Sequence, residues 1–274
     1  MLYSKQLTIN NNDSLSKLYA FVSPQTTVLD AGCACGGLAE ALVKKKNCNV
    51  YGMEYNPESV ACCKKLQIFS EIHQQDLNLL THNDFPSYFQ KFDYIVCGDV
   101  LEHLLYPDMV LKILLSYLKS DGEILISLPN LAHASIKATL LQDNFTYTDL
   151  GILDKTHLHF YTYKTIAEFL TNNNLRIMDC SPVFLALDGY QKDTFSDLPQ
   201  VIQAYIKADK HSHVMQYTMK CRVDKKISCQ HNINQLNNWE IQDQQNQSTF
   251  LFKIKRLLIT RFSGLLKWIE YFRK

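Results

Sequence analysis

Apolar residues between positions 27 and 180 fall into two alternating rhythms, short continuous runs and longer stretches with helical spacing. The runs predict buried strands over 27–31, 49–54, 72–76, 92–97 and 123–128, the last closed by Pro129. Helical spacing covers 14–22, with Asp13 or Ser14 as cap, then 36–46, a segment opening at Asn56-Pro57, and about 108–118. A helix over 164–171, a strand over 175–180 and a final strand near 214–223 follow. Strand and helix in strict alternation describe a parallel sheet covered on both faces. The rhythm breaks between Asn130 and Tyr163, a stretch rich in His, Asn, Thr and aromatic residues. It follows the carboxyl end of a strand, where open sheets bind ligands, and is read as an acceptor-side lid over 130–163.

The C-terminal quarter has a different texture. Eleven of the 22 residues in 228–249 are Asn or Gln, too polar to fold alone, and they read as a linker. In 250–274, Phe250, Ile254, Leu257, Leu258, Leu265 and Ile269 keep to one helical face, with Lys253, Arg256 and Lys267 opposite. This segment carries a net charge of +6, against −5 for the remainder of the 274-residue chain. Its basic residues exclude a transmembrane span. It is expected to be an amphipathic helix, lying either on an anionic membrane surface or against protein. The domain expected to carry the chemistry is 1–227.

Nine cysteines do not make a disulfide framework: the number is odd, and Cys33, Cys35, Cys62 and Cys63 crowd together. The N-terminus shows no secretory signal, so free thiols in a reducing cytoplasm are expected, with attachment to the inner face of a membrane through 250–274. No ligand pairs stand at zinc-finger spacing, and no metal site is expected. A net charge of +1, carried by the tail, gives no basic patch for nucleic acid.

The densest chemistry lies in Val28-Leu29-Asp30-Ala31-Gly32-Cys33-Ala34-Cys35-Gly36-Gly37, where a strand delivers a carboxylate into a glycine-rich turn opening a helix. No Gly-Lys-Ser/Thr follows, which excludes a phosphate-binding P-loop. Ala34, and the Asp ahead of the turn, disfavour a nicotinamide-dinucleotide fingerprint. Glu54 closes the second predicted strand, placed to accept from ribose hydroxyls, which alone suits NAD equally well. Asp76 closes the third, placed to accept from an adenine amino group.

With Tyr51-Gly52-Met53-Glu54, Asp76-Leu77, the run from Phe92 to Leu104 and Ser127-Leu128-Pro129-Asn130, these motifs resemble class I S-adenosylmethionine-dependent methyltransferases over residues 28 to about 177. The resemblance implies a Rossmann-like, doubly wound seven-stranded sheet with its last strand antiparallel. It implies S-adenosylmethionine as cofactor, with Asp30 and the backbone of Gly32, Cys33 and Gly36 at the turn. Glu54 would hold the ribose, and Asp76 and Leu77 the adenine, with Tyr55, and Gly98 and Asp99 at the end of the fourth strand, as further cofactor-binding residues. Ala34 stands where most members have Gly. Asn130-Leu131-Ala132-His133 and Leu153-Asp154-Lys155-Thr156-His157-Leu158-His159-Phe160 are similar to one branch, whose members often serve surface-polysaccharide and lipid-linked sugar assembly.

Methyl transfer to a hydroxyl calls for a base, and histidine has the suitable ordinary pKa. His157 is the first choice, oriented by Asp154, with His103 and His133 as further candidates and Asn130 and Asp99 as positioning groups. The expected reaction is O-methylation of a small or lipid-linked acceptor such as a sugar. The alternatives are a phenol, quinone precursor or other metabolite, and a non-catalytic scaffold. A sugar site would line the lid with hydrogen-bonding groups, a phenol site with apolar ones.

Overall fold

The computed structural model describes residues 12–187 and 194–238. The segment 250–274, and the part of the expected linker beyond 238, lie outside the described residues. Element by element the chain runs α1 (Ser14–Phe21), β1 (Thr27–Ala31), α2 (Gly37–Lys46), β2 (Asn49–Glu54), α3 (Pro57–Leu66) and β3 (Glu71–Gln74). It continues with β4 (Phe92–Gly98), α4 (Pro107–Ser116), β5 (Leu118–Pro129), α5 (Ala134–Leu140), α6 (Tyr163–Asn172), β6 (Leu175–Cys180), β7 (Val183–Phe184), α7 (Gln200–Ala208) and β8 (Val214–Val223). The sheet order is β3–β2–β1–β4–β5–β8–β6, with the short β7 against β8. Strands β1 to β5 pair in parallel, and β8 runs antiparallel to both β5 and β6. The sheet therefore has the expected antiparallel last strand and one two-residue strand more than expected.

Local chemistry accounts for the helix starts. Asp13 caps α1 by accepting from the Ser16 amide, and Asn56 caps α3 by accepting from the Glu58 and Ser59 amides, with Pro57 at the first helical position. Thr162 and Thr165 form a reciprocal capping box on α6. Leu18 of α1, Val22 just after it, and Leu38 and Leu42 of α2 pack on Val28, Val50, Val96 and Leu125 of the sheet. Burying each such side chain contributes about 1.5–3 kcal/mol. Strand order reverses around β1, between β2 and β4. The crevice at the carboxyl ends of these strands is where this architecture takes ligands.

Three expectations change. Strand β3 ends at Gln74, two residues short of Asp76, which instead caps a short 3₁₀ turn over Leu77–Leu79. The region after residue 182, read as adding one strand, also contributes α7, whose Ile206 packs with Phe195 and Leu198 on Ala134 and Ala138 of α5. The boundary expected at 227 moves outward, because the first compact unit extends to Leu236 and residues 229–238 are helical (α8). Asn232 of α8 is buried; its Oδ1 accepts from the Ile177 amide at 3.0 Å and its Nδ2 donates to the Leu175 carbonyl at 2.9 Å. The register of β6 shifts beside Ile177, so Asn232 supplies a partner that the ladder lacks there. Leu236 is fully buried as well. A chain cut after Asn238 is expected to keep the melting temperature of the full chain. One cut after Ser228 loses Leu236 and strands the Ile177 amide, and should melt markedly lower. Equal melting of the two would remove α8 from the fold.

Candidate active site

Asp30 on β1 and Glu54 at the end of β2 are held on adjacent parallel strands. The Glu54 carboxylate ties the glycine-rich turn: Oε2 accepts from the Ala34 amide at 2.8 Å and Oε1 from the Asn56 amide at 2.7 Å. Ala34 takes φ +47° in that turn, so the place of the usual glycine is filled by an alanine in a left-handed conformation, latched by Glu54. Gly32, at φ +86°, allows the turn to approach the loop after β4. A Cβ there would lie 2.5 Å from Val100 Cγ2. Asp30 is buried, and no hydrogen bond to its side chain is formed among the described residues. Burial, and then the neighbouring Glu54 charge, push its carboxyl up to about 7. A buried carboxyl without a counter-charge beside a second acid suits a ligand that brings positive charge and hydroxyl donors.

Cys33 and Gly36 serve the turn itself. The amides of Gly32 and Cys33 both donate to the Met53 carbonyl, the Cys33 carbonyl accepts from the Gly36 amide, and Cys33 Sγ lies 3.9 Å from Cys63 Sγ. Cys33 was expected to offer its amide to the ligand, but β2 has already taken it. Gly36 caps α2 at φ +78°, where a Cβ would press on Leu66 and Phe69. At the far end, one Asp76 oxygen is used by the Asn78 amide and side chain, and Leu77 is buried beside it. The Tyr55 ring stands 68% exposed after Glu54, a flat surface open to stacking.

Gly98 ends β4, and Asp99 follows at φ +57° with its side chain exposed. Three side chains fix the Asp99 carboxylate, those of Ser14, Ser127 and Gln216. Sequence reasoning missed all three, because they come from α1, β5 and β8.

The structure brings two of the three candidate histidines together. The His103 and His157 rings meet edge to face with centroids 4.7 Å apart. His157 Nδ1 lies 3.1 Å from the Ile152 carbonyl, and His103 Nδ1 lies 3.2 Å from the Thr156 carbonyl. A carbonyl only accepts, so Nδ1 carries the proton on both rings and Nε2 keeps its lone pair. Burial, then His103, hold the His157 imidazole below its ordinary pKa, so the ring is neutral at physiological pH. Asp154, expected to orient His157, accepts instead from the Thr156 amide and hydroxyl, and that hydroxyl is 3.1 Å from His103 Nδ1. Its positioning effect therefore falls on His103.

His133 is elsewhere and committed. It caps α5, with Nδ1 on the Ser135 amide and hydroxyl and Nε2 on the Leu185 carbonyl. Burial pushes its pKa down to about 4. Asn130, expected to position the acceptor, is buried, and its side chain binds the His211 and Val214 carbonyls and the Ala132 amide. The residue missed is Glu102. It is fully buried, and neither carboxylate oxygen has a hydrogen-bond partner among the described residues. Its signal was its place beside His103 near the end of the run from Phe92 to Leu104. Glu102, His103 and His157 each offer a ligating atom within 4.8 Å of the others, a cluster not expected from the sequence. Cys97 feels the charges of both Asp30 and Glu102, which places this cluster next to the turn.

Comparison with known proteins agrees with this geometry. Ubiquinone biosynthesis O-methyltransferase of Coxiella burnetii is 24% identical over 160 residues, covering 57% of this chain and 66% of that protein. The protein of the same name from Actinobacillus pleuropneumoniae is 30% identical over 118 residues, covering 42% of this chain and 49% of its own. The chain thus spans between about half and just under two thirds of the length of these curated relatives. Among solved structures, a SAM-dependent methyltransferase from Archaeoglobus fulgidus aligns with a TM-score of 0.53 at 18% identity, over 76% of this chain and 90% of that one. A putative methyltransferase from Bacillus halodurans aligns at 0.52 with 14% identity, over 77% and 98%. These likenesses show the fold. The methyltransferase-domain family matches residues 6–179, well over half the chain, and the chain belongs to that family, with S-adenosylmethionine as its methyl donor.

Proposed function

We propose that this methyltransferase transfers a methyl group to a hydroxyl of a small apolar acceptor of the phenol or quinone-precursor class. The observation that carries the reading is the aromatic group beside His157: the Phe160 ring lies 6.2 Å from it and meets the exposed Phe145 and Tyr147, while Asn130, His133 and Asp154 are used inside the protein. A sugar acceptor, the reading suggested by the branch resemblance, would call for hydrogen-bonding groups in place of these rings. The relatives named as ubiquinone biosynthesis O-methyltransferases support the same class. S-adenosylmethionine, when bound, supplies an electrophilic methyl group on a sulfonium. The residues of the chain hold the acceptor and receive its proton: the turn and Glu54 seat the donor, the lid holds the ring of the acceptor, and the bare Nε2 of His157 accepts from its hydroxyl. The test is a panel of phenols and nucleotide-linked sugars incubated with the full chain and S-adenosylmethionine, with methylated products identified by mass spectrometry. Methylation confined to sugars would overturn the reading.

Asp30 sets a pH dependence for the donor. In the free protein its carboxyl is held up to about 7 by burial. A cationic ligand favours the ionised form, lowers that pKa and releases a proton on binding. Affinity for S-adenosylmethionine is therefore expected to rise with pH and to level off above about 7. Calorimetry near pH 6 in two buffers of different ionisation enthalpy reads the released proton directly. Identical apparent enthalpies would show that Asp30 does not titrate with binding.

The basic segment 250–274 gives this reading a location. An apolar acceptor dissolves in a bilayer, and a sequence with amphipathic spacing and charge +6 suits its anionic face. The full chain is expected to sediment with anionic vesicles and to come off at high salt, whereas the chain cut after Asn238 stays in solution. Sedimentation of both, or of neither, would remove the segment from that role.

A further inference from the structure

We propose that Glu102, His103 and His157 form a binding site for a divalent transition-metal cation, at the place where the acceptor hydroxyl lies. Each residue offers one ligating atom, and these atoms lie within 4.8 Å of one another. The three come from two distant parts of the sequence. The turn after β4 provides Glu102 and His103, and the lid provides His157.

Glu102 is the independent observation that points to a ligand. A fully buried carboxyl with neither oxygen bonded is costly in either protonation state, since a buried polar group without a partner loses its hydration for nothing. The charges that act on it are those of Asp99 and Asp154, with no lysine or arginine among them. Among the described residues the neighbourhood therefore has a surplus of negative charge and no lysine or arginine that offsets it. A cation supplies one.

The histidines are arranged as metal ligands are. A ligating imidazole usually donates its other N–H to a carbonyl or carboxylate, which fixes the tautomer and aims the lone pair. His157 donates Nδ1–H to the Ile152 carbonyl, and His103 donates Nδ1–H to the Thr156 carbonyl. Thr156 is held in turn by Asp154 at 2.8 and 2.6 Å. The amides of Leu158 and His159 donate to the Glu102 carbonyl at 2.8 and 3.1 Å, so the lid strand that carries His157 is latched to the turn that carries Glu102. His133, by contrast, has both nitrogens engaged within the fold and takes no part.

Two imidazoles and one carboxylate suit Zn²⁺, Mn²⁺, Fe²⁺ or Co²⁺ better than Mg²⁺ or Ca²⁺, which prefer all-oxygen shells. Ligands at about 2.1 Å in a tetrahedron stand roughly 3.4 Å apart. The cluster therefore closes by roughly 1.4 Å when it binds, a distance that side-chain rotation covers. Three protein ligands leave a coordination position open, as in catalytic sites. In that position the acceptor oxygen binds the cation, its O–H bond breaks, the proton passes to solvent, and the oxygen keeps the electron pair for attack on the methyl carbon. His157 then acts as a ligand, and the cation does the work of the base. This catalytic consequence rests on the acceptor reading above; the binding site does not.

Co²⁺ is the probe, because its visible bands report coordination and sulfur ligation adds a separate charge-transfer absorption. The full chain, stripped with EDTA, is expected to take up one equivalent of Co²⁺ without thiolate absorption. Glu102→Gln and His157→Gln should each weaken uptake by at least about 100-fold while S-adenosylmethionine still binds, which shows that the variants are folded. Should Glu102→Gln fail to fold, His157→Gln and His103→Ala give the same readout from less buried positions. Absence of saturable uptake, uptake untouched by these substitutions, or bands that assign the ion to the cysteines would each overturn the site. If Co²⁺ binds as expected and no phenol is methylated, the acceptor reading fails and the cation site stands. If phenols are methylated equally well after EDTA and no uptake occurs, the site fails and the acceptor reading stands.

Discussion

His157→Ala is expected to lower the rate of methyl transfer by about 10²–10⁴-fold, the range for loss of the group that takes the acceptor's proton, whether directly or by holding a cation, while leaving S-adenosylmethionine affinity as it is in the unmodified protein. The expectation has a geometric basis. His157 sits on the lid with its Nδ1–H fixed by the Ile152 carbonyl, so nothing in the fold consumes its Nε2 among the described residues. Its side chain's hydrogen-bond and ring partners among the described residues are Ile152, His103 and Phe160, none of them in the turn that Glu54 and Asp30 build, so the donor should not notice its loss. His157→Gln, which keeps most of the volume and a hydrogen-bonding end, separates chemistry from packing. If packing were the whole of its role, the glutamine would restore the rate; if the nitrogen lone pair matters, it will not. His133→Ala is the contrasting variant. His133 caps α5 and bonds the Leu185 carbonyl, so its loss should lower the melting temperature more than the rate per folded molecule. A rate unchanged in His157→Ala with acceptor bound would reject the residue and turn attention to His103.

Glu54→Ala should weaken S-adenosylmethionine binding by about 1.5–3 kcal/mol, roughly 10–150-fold, the range for hydrogen bonds to a charged group. Two losses combine. The ribose hydroxyls lose their acceptor, and the Ala34 and Asn56 amides lose theirs. Ala34 holds φ +47° with that bond in place, and without it an alanine has little reason to stay left-handed. The turn is then expected to relax away from the shape that receives the donor. Glu54→Gln keeps one carbonyl oxygen and should fall between the two. Calorimetric titration reads all three proteins, and an unchanged dissociation constant in Glu54→Ala would remove Glu54 from the site.

The sequence by itself determined most of the elements up to residue 180 and the grouping of Asp30, the glycine-rich turn and Glu54, because both are written locally. Strand β1 and the turn after it appear as an apolar run, an acid and glycines in one contiguous decapeptide, and Glu54 ends the next run by the same logic. Helix starts at Asn56 and Asp13 were legible because a cap bonds amides two or three residues away. Asp76 was found but placed on a strand, since a short polar segment does not show where the ladder stops.

Only the tertiary structure decided which polar residues were left for chemistry. Asn130 and His133 carry the right functional groups in a suggestive motif, yet their partners lie at His211, Val214 and Leu185, far along the chain. Polar side chains buried at such distances are spent on satisfying backbone groups, and no local pattern reports it. The same holds for α8, where an Asn-rich stretch that reads as linker folds because β6 offers unpaired backbone groups to Asn232. Conversely Glu102, passed over beside His103, meets His157 only when the lid returns across more than fifty residues of chain. Their meeting follows from how the segments pack: Asn130 bridges Tyr161, and the Glu102 carbonyl accepts from the Leu158 and His159 amides, so the returning chain is tied beside the turn after β4.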